Sequence, residues 1–296
     1  MTEQIPHIFD KVFKKILTLS TKSVINMING LFGTHYPDDS TITYNWTEFM
    51  DTELRRTLAD TILTINGRYS YHIEAQIEND EDIIFRVFEY GYHHADYMPA
   101  SSGDYYVLHF PEPKIIYLYA TKDIPDIYTL RLDFGTQGYF DYQVPVLKYL
   151  ETTLEELNQK KLVILIPFRL LKLRKLLKQN RSPKNLQLLQ NLIQYDILGT
   201  IAINYELGNI SMNDAYKLQL LTIQLYNQIY AHYSEMEDLT NMIEESLSLD
   251  IDIIEKQYGK SITDIDTKLD AKESELAQRD SEIERLKAEI EKLKQR

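Results

Sequence analysis

The 296-residue chain contains no cysteine, so disulfides, thiolate nucleophiles and cysteine-ligated zinc are excluded. No apolar run approaches the roughly 18 residues that a membrane-spanning helix needs. The first residues, MTEQIPHIFDKVFKK, hold no signal-peptide core, and a cytoplasmic protein without membrane contact is the expectation. An excess of positive charge is also missing. Lys and Arg number 32 against 45 Asp and Glu, a net charge of −13, which argues against coating nucleic acid by bulk electrostatics. Several catalytic signatures are absent too: no Gly-rich dinucleotide fingerprint, P-loop, HExxH, GxSxG or kinase motif occurs. The pair His93-His94 reads as surface or core-edge residues rather than metal ligands.

What is present suits a globular chain, 44% apolar and 26% charged. Its pattern divides into residues 1–168, 169–260 and 261–296. In the first region Val12, Phe13, Ile16, Leu17, Val24, Ile25 and Ile28 predict one helix from Phe9 to about Leu31, stopped by Gly30 and Gly33. Strand-like runs follow at Thr41–Trp46, Leu58–Ile65, Tyr69–Ile77, Lys114–Tyr119, Ile127–Leu132 and Leu162–Ile166. A helix is expected between the third and fourth, over Ile83–Tyr97. The fold class is therefore α/β, with a mixed sheet flanked by helices. The second region is helical, with Ser182-Pro183 and Ser211–Asp214 as helix starts. In the third, Leu269, Leu276, Ile283 and Ile290 fall seven apart, with Ile265, Leu286 and Leu293 at the alternating heptad positions. This heptad helix suits a homodimeric coiled coil, although Lys272 and Arg279 leave a solvated single helix equally open.

The text LRRTLADTILTINGRYSYHIEAQIE reads as a hairpin about Asn66-Gly67. A three-residue loop, Asn66-Gly67-Arg68, pairs Ile65 with Tyr69 and sets Asp60 opposite Glu74. One face then reads Asp60, Ile62, Thr64, Ser70, His72, Glu74, Gln76, and the other is apolar apart from Thr61 and the tyrosine hydroxyls. A two-residue turn would mix the faces. Carboxylates on neighbouring strands can hold a hard cation and leave room for water and phosphate. The bland alternative is the solvent-facing side of an ordinary hairpin.

Asp60 and Glu74-x-Gln76 on a β-hairpin after a helix resemble the PD-(D/E)XK nuclease core, with Gln76 where that superfamily usually has lysine. Asp10-x-x-Phe13-Lys14 and Arg86-x-x-x-Tyr90 around it look like the Rpn family of recombination-promoting nucleases, also described as putative transposases. The resemblance covers roughly residues 7–170; Ala59 departs from it, standing where the superfamily name has proline. It implies a Mg2+-dependent DNA endonuclease, with Mn2+ as a substitute, in bacterial mobile-element, recombination or defence biology. Asp60, Glu74 and the Ala75 backbone carbonyl would be metal ligands. Gln76 would orient water or contact phosphate, having no useful pKa of its own. Asp10 either reaches the metal through water or caps the first helix, and Lys14 and Arg86 either touch phosphate or form ion pairs.

Between Asn158 and Tyr195 lie nine basic residues and no acidic one. On a helix from Phe168 to Lys178, Arg169, Lys172 and Lys175 line the outside, as a DNA-binding stripe or as a solvated face. Two other functional classes remain beside the endonuclease. One is a catalytically weak nuclease fold that binds DNA or a partner; the other is an accessory protein for transposition.

Overall fold

The first apolar stretch forms two helices. In the computed structural model α1 (Ile5–Ile16) gives way after a short turn to α2 (Thr21–Phe32). The expected single helix is thus corrected: Ser20 adopts extended backbone (φ −56°, ψ 148°), and its side chain accepts from the Ser23 amide to cap a new N-terminus. Gly30 does not stop a helix. It lies inside α2, where a Cβ would collide with the Lys160 carbonyl oxygen. Gly33 provides the stop, with φ 69° and its amide on the Asn29 carbonyl. The structure describes residues 5–50, 56–99, 105–119 and 123–230, with backbone alone for 5–8, 10, 45–50, 56–60 and 96–99.

Six strands make one mixed sheet: β1 (Ile42–Met50), β2 (Arg56–Ile65), β3 (Tyr69–Gln76), β6 (Glu112–Tyr117), β7 (Ile127–Asp133) and β8 (Tyr139–Lys148). Their spatial order is β1-β2-β3-β6-β8-β7. The pairs β1–β2, β2–β3 and β7–β8 are antiparallel, whereas β3–β6 and β6–β8 are parallel. Between β3 and β6 the chain forms α3 (Ile83–His93) and a separate hairpin of β4 (Asp96–Pro99) and β5 (Tyr106–His109). The helix is shorter than expected, since residues 96 and 97 already belong to β4. Strand β8 carries no strong strand signal because Pro145 interrupts its alternation.

Around β2, β3 and β6 both faces of this sheet are covered, while alternate residues of β7 face solvent. On one, Phe32 of α2 packs on Tyr71 with ring centroids 4.5 Å apart, and the Tyr44 hydroxyl donates to the Leu17 carbonyl at 2.7 Å. On the other, Ile83, Ile84 and Val87 of α3 join Ile115, Tyr117, Tyr142 and Val144 in an apolar cluster. The side of the hairpin that carries His72, Glu74 and Gln76 faces α3, as shown by the His72–Tyr90 ring contact and the Arg86–Glu74 pair. A solvent-facing hairpin side is therefore excluded.

After β8 come α4 (Leu154–Gln159), a 3-10 segment (Val163–Leu173), α5 (Arg174–Gln179), α6 (Pro183–Asn191), a π-helical stretch (Leu192–Leu198), α7 (Gly199–Glu206) and α8 (Met212–Ile229). Two expectations are corrected here. The run Leu162–Ile166 is not a strand, and no α-helix spans Phe168 to Lys178; the 3-10 segment occupies most of both. A short continuous apolar run reads alike for a strand and a buried helical piece. Ser182 and Ser211 cap α6 and α8, Pro183 occupies the first turn of α6, and Ser211 with Asp214 closes a capping box. By internal contacts the chain divides into residues 1–240 and 241–296, so position 168 falls inside the first unit. The heptad helix over 261–296 and the proposed dimer contact lie outside the described residues. No helix among the described residues is long and apolar enough to cross a membrane.

Candidate functional site

The β2–β3 hairpin has the register that segregates its two faces. Cα partners run from Ile65↔Tyr69 to Thr61↔Ile73. Continued by one residue, that register brings position 60 opposite Glu74; the Asp60 side chain lies outside the described residues. The turn has Asn66 at φ 54° and Gly67 at φ 63°, with the Arg68 amide donating to the Ile65 carbonyl at 3.0 Å. Two successive positive φ values are the primed-turn signature, whose twist matches that of the strands. The Asn66 side chain also accepts from the Thr41 amide at 3.0 Å, tying the turn to the start of β1.

Glu74 is only 2% exposed. Its Oε1 accepts from Gln76 Nε2 at 2.6 Å and from Arg86 Nη2 at 3.4 Å. The guanidinium also reaches Asp80, with Nη1 2.8 Å from Oδ2. Of the two readings for Arg86, the ion pair is the one formed. Gln76 likewise directs its amide to Glu74, and Ala75 sits between the two on the same strand. The other carboxylate oxygen, Oε2, has no hydrogen-bond partner.

His72 stands two residues before Glu74, on the same face, and is buried to 1% exposure. Neither ring nitrogen makes a hydrogen bond of ordinary geometry, and Nε2 lies 3.9 Å from Glu74 Oε2. Burial, followed by the charge of His94, pushes its pKa down to about 3 against an opposing pull from the Val87 backbone. The ring is neutral at ordinary pH. Sequence reasoning put His72 on the polar face but gave it no role; the available signal was its i, i+2 spacing from Glu74.

The remaining predicted residues stand apart from this group. Lys14 is half-buried near the end of α1 and makes no hydrogen bond or ion pair with it. Asp10 lies within α1, not at its start, so it caps no helix; its side chain is outside the described residues. Arg169 is corrected from an exterior position to a buried one, 4% exposed, with Nη1 donating to the Thr152 carbonyl at 2.9 Å. Lys172 and Lys175 are exposed. His93 is solvent-exposed, 4.0 Å from Glu89 one turn earlier, as a surface residue would be. Among the described residues no group of three or more His, Asp or Glu side chains surrounds a common point.

Compared with known families, curated proteins and solved structures, the chain matches none.

Proposed function

We propose that this protein is a metal-dependent DNA endonuclease of the kind its Rpn and PD-(D/E)XK resemblance implies, with Mg2+ as cofactor and Mn2+ able to replace it. The observation that carries this reading is the buried Glu74 carboxylate, with one oxygen held by Gln76 and Arg86 and the other without a donor. A buried carboxylate oxygen lacking any partner is costly, and a cation is the group that best relieves it. The mixed sheet, with three antiparallel strands followed by a helix and a parallel strand, gives further support.

Asp60 and Glu74, with the Ala75 carbonyl, would hold the cation, which when bound polarises a phosphate and lowers the pKa of a water. The chain's own work is positional. Gln76 and Arg86 fix the Glu74 carboxylate, and α3 shields it from bulk water. Exposed Lys172 and Lys175 would meet the DNA backbone electrostatically.

The test is cleavage of supercoiled plasmid by the full-length protein with Mg2+, Mn2+ or EDTA. Asp60→Ala and Glu74→Ala should each abolish nicking, because loss of a ligand forfeits the cation. Gln76→Ala should retain more activity than either, and Gln76→Lys should cleave. Undiminished cleavage by Asp60→Ala would discard the reading. DNA binding without cleavage by the wild type would favour a nuclease fold used for binding alone.

A further inference from the structure

His72 has no role in the reading just given, yet it is a costly side chain to bury on this strand face. Burial strips both ring nitrogens of water, and in exchange the ring meets only the Val87 backbone, in a contact short of ordinary hydrogen-bond geometry. Beside it Glu74 Oε2, 3.9 Å away, has no hydrogen-bond partner. That separation is too long for a hydrogen bond. It leaves room for a shared third body, since an ion about 2.1 Å from each atom spans a gap of up to roughly 4.2 Å.

A bridging water could satisfy both atoms, but it would leave the charge uncorrected. Two carboxylates, Glu74 and Asp80, share the single guanidinium of Arg86. A divalent cation supplies both the missing charge and the missing partners.

We infer that His72 Nε2 is a ligand, alongside Glu74 Oε2, of the divalent cation at this site, and that its imidazole makes the site prefer a first-row transition ion to Mg2+. The inference rests on the reading of Glu74 as a metal ligand. Its chemistry follows from ligand type: carboxylate and water suit Mg2+, whereas imidazole nitrogen shifts selectivity toward transition metals. With no third His, Asp or Glu side chain among the described residues, the other coordination positions belong to water, phosphate and the Asp60 carboxylate already proposed.

The experiment uses full-length protein stripped of metal, with Mn2+ and Mg2+ themselves as probes. Mn2+ binding is followed by loss of the free-ion electron paramagnetic resonance signal, and Mg2+ binding by calorimetry. Pulsed measurements on bound Mn2+ then read its nitrogen couplings. Wild type should bind Mn2+ at least tenfold more tightly than Mg2+ and show a coupled imidazole nitrogen. His72→Gln should lose the coupling and bring the two affinities within about threefold, while still binding Mg2+. Bound Mn2+ without nitrogen coupling in the wild type would overturn the inference and leave Glu74 as a ligand. An unchanged Mn2+ preference in His72→Gln would do the same. Unaltered Mn2+ binding by Glu74→Gln, or no binding by the wild type, would remove the Glu74 reading and the inference together. Should His72→Gln not fold, the nitrogen coupling of the wild type decides alone.

Discussion

At His72, burial sets a pH dependence that needs no ligand to be seen. The folded pKa is pushed down to about 3 from an ordinary 6.5, so the unfolded chain takes up a proton between those values that the folded chain refuses. Stability from this residue is therefore complete above pH 6.5 and is lost as pH falls toward 3. In EDTA, urea melts should show the wild type losing about 2 kcal/mol more than His72→Gln between pH 7 and pH 5. Parallel losses in the two proteins would mean that other groups carry the acid sensitivity. Glu74 and Gln76 were legible in the sequence because charged and amide side chains at i, i+2 in an apolar strand call for an explanation. His72 was not, since a single histidine becomes unusual only when both its nitrogens are buried, and α3 does that burying from outside the strand.

The hairpin is the element read most fully from sequence. Asn66-Gly67 names its turn, and the separation of polar from apolar side chains selects one register over its one-residue slip. Legibility ended where burial on all sides erased periodicity. Val163 to Leu171 is buried throughout, so neither a period of two nor one of 3.6 marks it, and the chain forms a 3-10 segment. The shift in helix type moves Arg169 inward, away from the two lysines grouped with it by spacing. This gives a sharp contrast for mutagenesis. Lys172→Glu with Lys175→Glu should weaken DNA binding and reduce its salt slope by about one unit per lost phosphate contact, without changing thermal stability. Arg169→Ala should instead lower stability, because it leaves the Thr152 carbonyl without its donor. A salt slope unchanged in the double lysine variant would make that face merely solvated.

At the scale of the whole molecule, the N-terminal helices and the later helices lie in one compact unit, residues 1–240, and specific bonds join them. The Asp214 carboxylate of α8 accepts from the Ser20 amide at 2.9 Å, from the Ser23 hydroxyl at 2.8 Å and from the Ser20 hydroxyl, joining the N-terminus of α2 to that of α8. These bonds lower the Asp214 pKa against the burial that would raise it. Sixty residues apart, the Tyr230 hydroxyl donates to the Leu170 carbonyl at 2.6 Å. Phe13 of α1 packs against Phe168, with centroids 6.4 Å apart, and a chain cut after residue 168 would keep that pair but lose the second half of the 3-10 segment and the Asp214 and Tyr230 bonds, exposing the inner sides of α1 and α2. A fragment of residues 1–168 should therefore show no cooperative melt, whereas residues 1–240 should unfold in one transition close to that of the full chain. If the heptads over 261–296 pair, the shorter chain will sediment as a monomer and the full chain as a dimer. A cooperative melt from residues 1–168 would instead make the sheet an independent domain, with Asp214 and Tyr230 as incidental contacts.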